Sequence, residues 1–101
     1  TTSAVLRKNG VDVSIYPNPF SEGTNLSVTL PDTREETQEI TVRVFDILGR
    51  HVATPVRSRP IDDSESLSLS SEQMRSLASG VYFFRVKGPN FTGTTKAVRV
   101  R

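Results

Sequence analysis

Ser79-Gly80-Val81-Tyr82-Phe83-Phe84-Arg85-Val86 is the run that decides how this chain is read. Gly80 leads into a segment of β-branched and aromatic side chains, which fit a pleated, half-buried surface. Apolar residues occupy both faces at its start, so the run predicts a strand in the middle of a sheet. Its rings are expected to fill a core, with the Tyr82 hydroxyl as a polar tip that needs a partner.

Downstream, Gly88-Pro89-Asn90 and Gly93 bracket Phe91 in a tight loop. Val98 and Val100 alternate with Ala97 and Arg99 in a last strand. Upstream, Ser70 and Gln73 have capping-box spacing, and Met74 and Leu77 lie one turn apart. They predict a single helical turn. Leu67 and Leu69 alternate in a Ser-rich strand, preceded by the acidic loop Asp62, Asp63, Glu65. Pro55 to Pro60 reads as a basic, Pro-flanked crossover.

Ile40, Val42 and Val44 form an apolar face opposite Thr41 and Arg43, after a polar, acidic loop over Asp32 to Glu39. Asp46-Ile47-Leu48-Gly49 has type I turn chemistry with a left-handed Gly, predicting a hairpin that returns through His51 to Thr54. Leu26, Val28 and Leu30 share a face, as do Val11, Val13 and Ile15. Between those two runs, Tyr16-Pro17-Asn18-Pro19 reads as extended and stiff. Phe20 and Phe91, both in loops, are candidates for exposed or plugging aromatics. Thr1 to Gly10 is a linker, and residues 11–101 are the domain. About seven short strands with closely spaced turn signals predict an all-β fold, a two-sheet antiparallel sandwich.

Composition mainly excludes. With no Cys, one His and no Trp in 101 residues, thiol catalysis, disulfides and Cys-ligated metals are absent. No apolar stretch approaches the roughly 20 residues of a membrane-spanning helix. Chemistry finds no foothold. His51 lacks an identifiable orienting acid, no Gly-x-Ser-x-Gly elbow or phosphate loop is present, and the acids near residue 62 match no EF-hand. Catalytic, metal and cofactor residues are therefore expected to be none. The triplets Asn25-Leu26-Ser27 and Asn90-Phe91-Thr92 read as chance glycosylation patterns. The formal charge of +2 hides an asymmetry. Residues 1–72 carry 7 basic and 11 acidic side chains, whereas residues 73–101 carry Arg75, Arg85, Lys87, Lys96, Arg99 and Arg101 and no acid. A basic terminal third suits either an anionic partner or water.

Four segments in order carry a resemblance: Tyr16-Pro17-Asn18-Pro19-Phe20, Val42 to Arg50, Leu77 to Val86, and Lys96-Ala97-Val98-Arg99-Val100-Arg101. Together they resemble the C-terminal sorting domain of type IX secretion cargo, over nearly the whole chain. The resemblance implies an immunoglobulin-like sandwich with no catalytic role and no nucleic-acid partner. It implies an N-terminal cargo covalently attached, passage through the periplasm, and recognition by an outer-membrane translocon. Removal by a sortase-like surface protease near residues 1–10 would leave the cargo at the cell surface or outside the cell. Pro17, Asn18 and Pro19 match the early motif; Asp46, Gly49 and Arg50 the turn motif; Gly80, Val81 and Tyr82 the strand-start motif. Lys96, Val98 and Val100 match the terminal motif, and Lys96, Arg99 and Arg101 are the charged candidates for partner contact. The competing expectation is a structural or carbohydrate-binding accessory module of a secreted enzyme.

Overall fold

A computed structural model of the chain describes residues 11–30, 37–62, 64–89 and 91–100. Residues 1–10, expected from the sequence to be a linker, lie outside the described residues, as do most of the expected acidic loop before Thr37, Asp63, Asn90 and Arg101. Seven strands and one helical turn follow in the order β1 (Asp12–Tyr16), β2 (Thr24–Thr29), β3 (Gln38–Asp46), β4 (His51–Ile61), β5 (Ser64–Leu69), α1 (Ser71–Met74), β6 (Gly80–Lys87) and β7 (Thr92–Arg99). They form two antiparallel sheets, one ordered β1-β2-β5 and the other β4-β3-β6-β7. This is the all-β sandwich that the alternation predicts.

The period-2 pattern explains the core. Leu26 and Val28 from the smaller sheet, and Val42, Val44, Phe84 and Val86 from the larger, all point inward and are buried. Strand β6 is interior, between β3 and β7, as its double-faced apolar start implies. Tyr82 is buried, and its hydroxyl donates to the Ala78 carbonyl at 2.9 Å, which supplies the expected partner. Ser70 caps α1 with a complete capping box, its Oγ accepting from the Gln73 backbone while Gln73 Oε1 accepts from Ser70 N. The turn thereby sets Met74 and Leu77 into the core.

Three local expectations are corrected. Pro55 to Pro60 is no crossover but part of β4, an 11-residue strand. Its prolines are tolerated because β4 is an edge strand, where a missing N–H breaks no ladder on the open side. Repeated register shifts against β3 and a positive φ of 47° at Ser58 interrupt that edge further. Gly93 belongs to β7 rather than to the loop, and a Cβ there would lie 2.4 Å from Val11 Cγ1. Finally, the segment expected to be simply extended contains two cis peptide bonds, Tyr16-Pro17 and Asn18-Pro19.

Candidate functional site: the clasped terminal strand

Strand β7 ends the four-stranded sheet, so one of its two edges has no strand partner. Over its last residues that edge is closed by Pro17 to Phe20, nearly the whole chain length away. The Asn18 side chain acts as a surrogate peptide: Nδ2 donates to the Lys96 carbonyl at 3.1 Å, and Oδ1 accepts from Val98 N at 3.0 Å. Phe20 continues the pairing with its own backbone. Its N–H donates to the Val98 carbonyl at 2.9 Å, and its carbonyl accepts from Val100 N at 2.9 Å. The result is a short parallel bridge between Phe20 and Arg99. Thr24 Oγ1, buried, donates to the Pro17 carbonyl at 2.9 Å and ties the clasp to β2. The early and terminal motifs are therefore one structural unit. It consumes the hydrogen-bonding edge that would otherwise pair with another chain.

Pairing with β6 sets which terminal side chains face where. Tyr82 opposes Ala97 and Gly80 opposes Arg99, so Ala97 and Arg99 share the inner face. Val81 opposes Val98 and Phe83 opposes Lys96 on the outer face. Lys96 is exposed, Val98 half-buried and Val100 43% exposed. Arg99 is only 7% exposed, which its terminal position does not suggest. Its Nη1 donates to the Met74 carbonyl at 2.6 Å, and its guanidinium lies 5.8 Å from the centroid of Phe20. Its Nε is buried without a partner among the described residues. Arg99 thus bolts the terminal strand to α1 and to Phe20 from within. Phe20 plugs the core, 1% exposed, edge-on to Phe84 at 6.3 Å. Phe91 is also buried, so both loop aromatics are plugs.

The turn motif is equally organised. Asp46 Oδ1 accepts from Leu48 N at 3.0 Å and Arg50 N at 2.9 Å, while Oδ2 accepts from Arg50 Nε at 2.9 Å. Gly49, at φ 84°, donates to the Asp46 carbonyl, a conformation that favours a residue without a Cβ. The Arg50 backbone N–H above all, against some desolvation and with help from the Arg50 side chain and Leu48 N–H, holds the Asp46 carboxyl below 3.8. A depressed pKa means the stabilisation is complete above the ordinary aspartate range and is lost as pH falls through the folded value. In an NMR titration, the Leu48 and Arg50 amides are expected to shift with a midpoint below 3.8. Asp46→Asn should abolish that transition, and a midpoint at or above 3.8 would contradict the proposed network. The turn presents Ile47 and Leu48 to solvent, 68% and 73% exposed.

Elsewhere several polar groups are engaged structurally. His51 Nε2 lies 2.7 Å from Thr54 Oγ1, and its ring packs edge-on against Phe45. Asp62 Oδ1 accepts from Thr37 Oγ1 at 2.9 Å, and Glu65 pairs with Arg59. Among the described residues, no three of His, Cys, Asp and Glu converge as metal ligands would. No helix of the described residues is long and apolar enough to cross a membrane.

The sequence profile of the family described as secretion system C-terminal sorting domain matches residues 14–100, a span that includes the clasp, the turn and β7. No curated protein matches the chain. The match favours a sorting signal over an accessory module. The chain belongs to the family of secretion system C-terminal sorting domains, the non-catalytic signals that send an attached cargo through type IX secretion to the cell surface or beyond.

Proposed function

We propose that the outer-membrane translocon reads the outward face of the clasped terminal strand, through Lys96, Val98 and Val100. The observation that carries this reading is the phase of β7. Lys96, Val98 and Val100 face away from the core, while Ala97 and Arg99 face into it. Lys96 has no carboxylate partner among the described residues, so its charge is available to a docking surface. Arg99 then serves as a positioning residue. Arg101 completes the same terminal motif and is included in the contact set. The backbone edge is occupied by Asn18 and Phe20, which favours recognition by side chains over strand addition. Upstream of the sandwich, a sortase-like surface protease severs the domain from its cargo at or before residues 1–10. This follows transit through the periplasm.

The test fuses the whole chain behind a signal peptide and a reporter, in a host that carries the translocon. Changing Lys96→Glu, Val98→Ser and Val100→Ser together should leave the clasp and the core in place. Export is expected to fall by about tenfold or more, since losing about 1.4 kcal/mol of docking energy weakens binding tenfold. The reporter should accumulate in the periplasm. Unchanged export by a folded triple variant would remove the terminal strand from the contact surface.

A further inference from the structure

We propose that a groove on the outer face of the four-stranded sheet, beside the β3–β4 turn, receives a segment of a partner protein that carries a carboxylate next to an aliphatic side chain. This rests on the sorting reading and extends the contact surface, since the groove's Phe83 is the register partner of Lys96. The groove has a volume of about 340 Å³. Phe45 of β3 and Phe83 of β6 are register partners and form its apolar floor. Ile47 overhangs one rim, and Arg85 and Thr94, themselves register partners, form another.

Charge selects the occupant. Arg43 and Arg85 stand directly opposite each other on neighbouring strands, on the same outer face. Like charges in that relation destabilise a sheet. Among the described residues, no carboxylate forms an ion pair with either. The Arg85 guanidinium carbon lies 4.6 Å from the Phe45 ring centroid. Stacked on that ring, its N–H edge remains free to meet a carboxylate in a two-pronged geometry. Asp46 also lines the groove, but its oxygens are taken up by Arg50 and Leu48. Glu39, the other acid on this face, lies four residues along β3 from Arg43, beyond Thr41. The site therefore presents uncompensated positive charge above an aromatic floor, with an exposed isoleucine on a turn already fixed by Asp46. A partner segment with an acidic and an aliphatic side chain satisfies both halves, and the fixed turn lowers the ordering cost of docking.

Supplying the carboxylate from within the chain separates docking from folding. Thr94→Glu places an acid opposite Arg85, where an oppositely charged cross-strand pair stabilises the sheet. In the reporter fusion of the whole chain, Thr94→Glu is expected to give an equal or higher Tm, yet export reduced about fivefold or more. Thr94→Gln, which matches glutamate in size but carries no charge, should export better than Thr94→Glu. Arg43→Lys with Arg85→Lys, which keeps the charge, should export better than Arg43→Glu with Arg85→Glu. Wild-type export by Thr94→Glu, or equal export by the Lys and Glu pairs, overturns the proposal. A wild-type fusion retained in the periplasm would instead overturn the sorting reading, and this inference with it.

Discussion

Replacing Phe20 by alanine is expected to destabilise the domain by about 3–5 kcal/mol, the range for truncating a buried aromatic. Phe20 is 1% exposed, meets Phe84 edge-to-face at 6.3 Å and lies beneath the Arg99 guanidinium. Removing the ring leaves a void and takes the apolar cover from a cation that is already buried. The loss also undermines the bridge to Val98 and Val100, because the same residue supplies that backbone pairing. In a domain of this size, each kcal/mol lowers Tm by about 4–8 °C, so thermal unfolding reads the effect directly. Phe20→Leu keeps most of the apolar volume and should cost much less. A loss below about 1 kcal/mol for Phe20→Ala would mean that the early motif rests on the core without holding it.

Deleting Lys96 to Arg101 is expected to abolish export and folding together. The deletion removes the ladder partners of Gly80, Val81, Tyr82 and Phe83, empties the buried sites of Ala97 and Arg99, and leaves the Asn18 side chain and the Phe20 backbone without their partners. The combined loss is on the order of 5 kcal/mol or more, comparable with the entire stability of a small domain. Circular dichroism and protease digestion of the purified deletion variant should therefore show an unfolded or readily cleaved chain. A deletion variant that melts cooperatively near the wild-type temperature would contradict this, and its failure to export would then report the signal alone. The triple surface variant at Lys96, Val98 and Val100 makes that separation, since it touches only outward side chains.

The two experiments share a cause. The terminal motif is at once part of the core and part of the surface, divided between alternate residues of one strand. Ala97 and Arg99 are its structural half; Lys96, Val98 and Val100 are its presented half. Read along the chain, Arg99 groups with Lys96 and Arg101 as a charged contact, because a terminal Arg without nearby acids looks solvated. No local signal marks its burial. Val98 and Val100, matched to the terminal motif, point outward. Strand β6 decides this, by bringing Tyr82 against Ala97 and Gly80 against Arg99.

Much of the molecule is legible in the residue order. Alternation over Leu26 to Leu30 and Ile40 to Val44 names those strands and their buried faces, because side chains on a pleated strand point alternately to the two sides, whereas Val81 to Val86 reads as a strand without showing that Phe83 lies on the outer face. Asp46 and Gly49 identify the turn, and Ser70 and Gln73 the helix cap, since each depends on contacts within a few residues. The Pro55 to Pro60 segment reads as a connection for the same local reason. Proline forbids a ladder bond, but only an edge assignment shows that no bond is needed there.

Strands, their phase in the interior and the turns between them are thus properties of neighbouring residues, written in the chain itself. Three further facts come from long-range packing alone: Pro17 to Phe20 closes the edge of β7, Arg99 lies inside, and Phe45, Phe83, Arg43 and Arg85 share one outer face. Those facts depend on which strand edges meet. Edge pairing is chosen by the global packing of two sheets, and the period-2 pattern carries no term for it.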